Sequence, residues 1–318
     1  MKLLVLIDLK EHYLHNLSKL YDIEVVKALE FEDQKREIKD AEILITGGGG
    51  VSPQLLRLAV KLKWIQTWSA GLDAFINSEI INQLIEKDII VSSSSGIHGE
   101  PIAEHVMGFL INYSRRLYDF YKMQESKEWK WLNTNQLSGK TIAIIGAGSI
   151  GQEIALKAKA FKMKIIAVKR DITETVDNFD EIYSNNDLLK VLPGADYVVA
   201  TVPLTDETKG MFSEKEFKAM KDSAFFVNIA RGEVVNEKAL IKALGEKEIA
   251  GAGLDVFEKE PLDKDSQLYN LENVYITPHV SGSFPDYNKE AIKLFKENLE
   301  RFIDGQKLMN LMDYNRGY

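Results

Sequence analysis

The chain has 318 residues, of which 45% are hydrophobic and 28% charged, with a net charge of −8 and no cysteine. These fractions exclude wholesale disorder and collagen-like structure, and the length suits two domains better than one small core. An acidic chain lacks the basic footprint of a protein that coats nucleic acid or an anionic membrane, so neither is expected as a partner. The lack of cysteine excludes a disulfide framework, a thiolate nucleophile and a cysteine-based metal site, and it fits a reducing compartment; the expected location is the cytoplasm.

Met1-Lys2 followed by Leu3–Ile7 superficially resembles a signal peptide. Asp8 ends that run early and no small-residue cleavage site follows, so a buried first strand is expected. No stretch approaches the roughly 18 apolar residues of a membrane helix. Leu3–Ile7, Ile43–Thr46, Trp64–Thr67 and Ile89–Val91 read as strands, separated by helical segments such as Pro53–Ala59 behind a Ser52 cap. Gly47–Gly50 reads as a loop of close backbone approach. Pro101 to about Met123 is expected to form one long helix with proline in its first turn, and Trp129–Asn135 a connection. A second alternation then begins, with strands at Thr141–Ile145, Lys164–Val168, Tyr197–Thr201, Ala224–Ile229, Ala252–Leu254 and Val274–Thr277. Asp286 to about Ile303 is a last amphipathic helix, stopped at Gly305. This rhythm predicts an α/β protein with parallel sheets.

Gly146-Ala147-Gly148-Ser149-Ile150-Gly151 lies between the strand Thr141–Ile145 and the helix Gln152–Phe161. In that context the first glycine permits a tight turn, the second lets backbone approach a pyrophosphate, and the third lets the helix pack on the strand. Free N–H groups at the helix start would face the phosphates. At the end of the next strand an NAD site places an acid for the ribose hydroxyls. Here Lys169 and Arg170 stand there instead, and both would pair with a 2′-phosphate. NADP(H) is therefore the preferred cofactor, with NAD(H) possible if Asp171 takes the ribose.

The chain resembles the D-isomer-specific 2-hydroxyacid dehydrogenase family over almost its whole length. Besides the glycine fingerprint, Ala200–Gly210, Phe226–Val235, Gly253–Leu262 and Thr277–Gly282 carry the match. The resemblance implies two Rossmann- or flavodoxin-like domains with the active site in the cleft between them. Residues 1–98 with 284–318 would bind substrate and 99–283 the dinucleotide. It implies a glyoxylate/hydroxypyruvate reductase-like, NADP-leaning enzyme, with hydride passing from NAD(P)H to a small 2-keto acid to give the D-2-hydroxy acid. A homodimer is expected by the same resemblance, with the Pro101–Met123 helix in its interface.

The residue types suit that reaction. Arg231 offers a planar fork of donors to carboxylate and carbonyl oxygens, and its charge stabilises oxyanion character. His279 is the proton donor. Glu260 would hydrogen-bond His279 and favour the imidazolium; Glu258 competes for that role on position alone, and the family match favours Glu260. By resemblance, Trp68, Ser69, Ala70 and Gly71 form the loop whose N–H groups hold the substrate carboxylate. Val202, Pro203, Ile229 and Ala230 would wall the cofactor cleft, Asp255 would meet the nicotinamide amide, and Gly282 would complete the cofactor site. Glu104 and His105, at the start of the linker helix, are expected to be structural, and no metal is expected.

Two facts lean away from 3-phosphoglycerate as substrate. The chain ends at Tyr318 without a regulatory extension, and Thr67-Trp68 supplies no basic residue for a phosphate. A dinucleotide-sensing protein or corepressor is the alternative from another class. The Asn228–Gly232 and Thr277–Gly282 segments argue against a sugar or amino-acid dehydrogenase.

Overall fold

The computed structural model describes residues 1–173 and 176–314. The chain separates into two units, Met1–Ile97 with Phe284–Tyr318, and His98–Ser283; residues 315–318 lie outside the described ones.

The first unit holds strands β1 (Lys2–Val5), β2 (Glu24–Lys27), β3 (Ile43–Thr46), β4 (Trp64–Thr67) and β5 (Ile90–Ser92). All neighbours are parallel, in the order β2-β1-β3-β4-β5, the flavodoxin-like winding. β3 and β4 are buried along their whole length, which explains their unbroken runs of buried residues. β2 was not evident in the sequence because Val25-Val26 is a two-residue apolar run between charges, on a half-covered edge. β1 ends at Val5 rather than Ile7, although Leu6 N–H still donates to the Ile45 carbonyl (2.9 Å).

The C-terminal helix Tyr287–Ile303 returns to this unit and buries Ala291, Ile292, Phe295 and Leu299. Trp64 stacks on Phe295 with ring centroids 5.1 Å apart. Beneath the aromatics lies a buried polar chain. Trp64 Nε1 donates to Ser92 Oγ (2.8 Å), Ser92 Oγ to Gln66 Oε1 (2.8 Å), and Asn298 Nδ2 to the same oxygen (3.4 Å). Asn298 Oδ1 also accepts the Met309 N–H (2.8 Å).

The second unit holds β6 (Thr141–Ile145), β7 (Lys164–Lys169), β8 (Glu181–Ser184), β9 (Tyr197–Ala200), β10 (Phe225–Asn228), β11 (Gly251–Leu254) and β12 (Val274–Ile276). The order β12-β11-β10-β9-β6-β7-β8 is the doubly wound dinucleotide-binding arrangement with one added edge strand. Successive residues of β6 face opposite layers: Ile142 and Ile144 pack in one apolar cluster, Ala143 and Ile145 in the other. Chain direction across the sheet reverses between β6 and β9, the position where such sheets bind ligands.

The single helix expected over Pro101–Met123 is two helices, Gly99–Arg115 and Leu117–Glu125. Arg116 between them is left-handed (φ 54°), and the Asn112 side chain accepts the Tyr118 N–H (2.9 Å). That side-chain acceptor replaces a backbone one and lets the chain turn. Among the described residues no helix is long and apolar enough to cross a membrane.

Replacing the buried Asn298 with Ala should cost about 2 kcal/mol, because the half-buried Met309 N–H loses its acceptor and Gln66 a donor. Urea unfolding followed by fluorescence measures this; an unchanged midpoint would contradict the account.

Candidate active site

Gly146 leaves β6 with φ +113°, and its N–H donates to the Val168 carbonyl (2.8 Å). A Cβ there would come within 2.6 Å of Thr201 Oγ1, the hydroxyl that donates to the Gly146 carbonyl (2.6 Å). At Gly151 a Cβ would stand 2.0 Å from that same carbonyl, so only glycine lets the helix Ser149–Ala160 sit against the turn. Gly148 is exposed, with nothing within 4 Å of its Cβ position, and caps the helix without a side chain. Ser149 is exposed and Ile150 half-buried. The turn thus presents bare backbone and helix-start N–H groups with no protein acceptor among the described residues, which fits a pyrophosphate.

The walls named in the sequence follow the adjoining strand ends. Val202, Ile229 and Ala230 are buried and Pro203 is exposed. Thr208 ties the loop after β9, its hydroxyl donating to the Pro203 carbonyl (2.6 Å) and accepting the Thr205 N–H (2.8 Å). Lys169 ends β7 and Arg170 follows, directly after the Val168 carbonyl that holds Gly146. One oxygen of Asp171 accepts both the N–H and the hydroxyl of Thr173 (2.9 and 2.6 Å). That fixes the acid in a local turn.

His279 and Glu260 meet. Glu260 Oε2 lies 2.7 Å from His279 Nδ1, and Oε1 accepts the Phe257 N–H (3.1 Å). The imidazole is half exposed. Glu258, the rival on position, does not reach the histidine; its Oε1 accepts the Glu237 N–H (3.0 Å).

His279 is held in the left-handed region (φ 52°), an uncommon conformation for a residue with a side chain. Its N–H donates to the Asp255 carbonyl (2.8 Å). The Asp255 carboxylate takes the rest of the segment: Oδ1 accepts Thr277 Oγ1 (2.6 Å) and Val280 N–H (2.9 Å), and Oδ2 accepts Ser281 N–H (2.9 Å). Burial pushes this carboxyl up, but the bonds from Ser281, Thr277 and Val280 outweigh it and hold it below the usual range. The resemblance assigns Asp255 to a nicotinamide amide. In the structure Asp255 is fully buried and its carboxylate anchors the His279 segment. His105 joins from the helix Gly99–Arg115, Nε2 lying 3.0 Å from Thr277 Oγ1. Burial lowers its pKa against the pull of Asp255. Gly282 packs on His98, a Cβ there lying 3.1 Å from the ring.

Arg231 follows β10 and is half-buried. Asn228, itself buried, shapes its turn by donating to the Arg231 carbonyl (3.0 Å) and accepting the Ala230 N–H (3.1 Å). One arm of the guanidinium donates to the Ala230 carbonyl (2.7 Å).

In the first unit, Trp68 turns inward: its indole donates to Asn288 Oδ1 (3.0 Å) and its carbonyl accepts the Tyr287 hydroxyl (2.6 Å). Ser69 Oγ donates to the Gly71 carbonyl (2.8 Å), and the Ser69 carbonyl accepts the Ser94 N–H (2.8 Å). Among the described residues the N–H groups of Ser69, Ala70 and Gly71 have no protein acceptor. Three consecutive amides of this kind fit a carboxylate.

The sequence reading did not single out the supporting residues Thr201, Thr208, Asn228, Thr277 and Tyr287. For Thr201 and Thr277, a hydroxyl directly after a strand was the available signal.

A family model for the D-isomer-specific 2-hydroxyacid dehydrogenase NAD-binding domain matches residues 107–281. A glyoxylate reductase of Pyrococcus furiosus is 33% identical over 93% of this chain and 90% of its own length. A D-3-phosphoglycerate dehydrogenase of Methanocaldococcus jannaschii is also 33% identical over 98% of the chain, which spans only 59% of that protein. A crystal structure of a D-isomer-specific 2-hydroxyacid dehydrogenase family protein from Aeromonas salmonicida superposes with a TM-score of 0.88, at 34% identity, covering 98% of this chain and 99% of that one. With the glycine turn in place and this match behind it, the chain belongs to the D-isomer-specific 2-hydroxyacid dehydrogenase family of NAD(P)-dependent oxidoreductases.

Asp255→Asn should lower turnover strongly, because an amide cannot accept from Thr277, Val280 and Ser281 together, and should cost about 3 kcal/mol. The folded carboxyl sits below its unfolded value near 4, so its contribution is present above that pH and is lost as pH falls through the folded value. Urea midpoints between pH 6 and pH 2.5 should therefore fall more steeply for the parent than for the variant. Parallel slopes would contradict the assignment.

Proposed function

We propose that this enzyme reduces a small 2-keto acid of the glyoxylate or hydroxypyruvate kind to the D-2-hydroxy acid, with NADPH preferred over NADH. The observation that carries the reading is the His279–Glu260 pair, 2.7 Å apart and half exposed. The bound dinucleotide supplies the hydride. The chain's residues supply the rest.

Glu260 holds Nδ1, which leaves Nε2 as the atom that gives its proton to the substrate oxygen. The Arg231 guanidinium pairs with the carbonyl and carboxylate oxygens and stabilises negative charge on the former as the hydride arrives. The amides of Ser69, Ala70 and Gly71 take the carboxylate and orient the carbonyl carbon. The loop has no basic side chain, which favours a small unphosphorylated acid.

Gly146, Gly148, Ser149, Ile150 and Gly151 hold the pyrophosphate in this reading. Val202, Pro203, Ile229, Ala230 and Gly282 wall the nicotinamide side. Lys169 and Arg170 receive the 2′-phosphate, supported by their position beside the Val168–Gly146 bond and by the engagement of Asp171 with Thr173. We also propose a homodimer. Its support is the exposed apolar surface of Tyr118, Tyr121, Trp129 and Trp131 in the second unit, an unusual density for a monomer surface.

The test is dinucleotide oxidation with glyoxylate, hydroxypyruvate, pyruvate and 3-phosphohydroxypyruvate in turn. Turnover of the small acids with NADPH supports the reading. Preference for the phosphorylated acid, or dinucleotide binding without turnover of any, contradicts it.

Two substitutions refine the result. His279→Gln should reduce kcat by at least about a hundredfold while NADPH affinity stays within about twofold. Lost affinity would instead place His279 in the cofactor site. Lys169→Asp with Arg170→Ala should weaken NADPH by about tenfold or more and leave NADH nearly unchanged; equal effects would remove both residues from the 2′-phosphate.

A further inference from the structure

Arg231 and Glu260 stand on separate loops, after the neighbouring strands β10 and β11. Strand register fixes where the loops begin, not how their tips align. Two contacts do that. At Gly232 a Cβ would lie 1.8 Å from the Phe257 carbonyl carbon and 2.3 Å from Glu258 N, so the two backbones touch. Further along, Glu258 Oε1 accepts the Glu237 N–H (3.0 Å) and Glu237 Oε2 accepts the Glu258 N–H (3.3 Å). Gly232 and Glu237 thus both meet the loop after β11 at Phe257 and Glu258. Phe257 N–H in turn donates to Glu260 Oε1 (3.1 Å).

We propose that Glu258 is a positioning residue: through its reciprocal bonds with Glu237 it fixes the loop of the Glu260–His279 pair against the loop of Arg231. The inference rests on the catalytic reading above. The alignment matters because both groups must act on one small substrate, where a misplacement of about 1 Å can cost about a hundredfold in rate. The bonds are directional and anchored to backbone on each side. They transmit position without either carboxylate touching substrate. Glu258 is solvent-exposed, so its loss should slow the reaction without unfolding the protein.

The experiment compares Glu258→Ala, Glu258→Gln, Glu237→Ala, the Ala double variant and Glu260→Gln in the whole protein. Glyoxylate kinetics, NADPH affinity and melting temperature are measured for each. Glu258→Ala should lower kcat about tenfold with NADPH affinity within about twofold. Glu258→Gln keeps an acceptor oxygen and should recover most of the rate. The double variant should lose no more than the worse single one, because both remove the same clasp. Normal kcat in Glu258→Ala, failure of the Gln rescue, additive losses, or a matching drop in NADPH affinity would each overturn the proposal. If Glu260→Gln is impaired while Glu258→Ala is normal, only this inference fails. A normal rate for Glu260→Gln overturns the catalytic reading and this inference with it.

Discussion

The Asp255 carboxylate is the constraint on which the whole His279 segment depends. Burying an ion costs several kcal/mol unless hydrogen bonds replace its water. Here the Thr277 hydroxyl and the Val280 and Ser281 amides replace it. Because these donors bracket His279, satisfying the carboxylate and shaping the histidine's backbone are one event. The left-handed turn at His279 costs about 1 kcal/mol by itself and persists because its flanks are over-determined. His279 is therefore placed from its main chain outward. Glu260 then needs only to choose the ring orientation.

Much of this was legible in the sequence. The central strands announced themselves because a parallel strand covered on both faces reads as an unbroken apolar run, as in Ile43–Thr46 and Tyr197–Ala200. The edge strands β2 and β8 were missed because half-covered strands carry charges, as Glu24–Lys27 and Glu181–Ser184 do. The helix break at Arg116 was missed because the apolar period continues through it, and a single asparagine side chain makes the turn. The glycine turn was readable because its three glycines each answer a separate demand of the same corner.

Site residues were easier to name than to assign. Arg231, Glu260 and His279 come from motif and residue chemistry, and the Glu260–His279 bond separates Glu260 from Glu258. Asp255 lies in the same motif, yet its work is invisible without coordinates, since acceptance by a carboxylate of main-chain N–H groups leaves no trace in residue type at the donors. The same holds for Tyr287, which reaches the Trp68 carbonyl from more than two hundred positions along the chain.

A division of labour follows from where the contacts fall. The groups assigned to chemistry, Arg231 and His279, keep a half-buried and a half-exposed side chain. What holds them is main chain and neighbouring polar side chains: Gly232 against Phe257 and the Asn228 amide for Arg231, the Asp255 carbonyl and carboxylate for the His279 segment. The glycines have the opposite character. A single methyl at Gly151 or Gly232 would overlap main-chain atoms that cannot yield as a side chain can. Gly232, with no side chain, sets how closely the loop of Arg231 approaches the loop of Glu260.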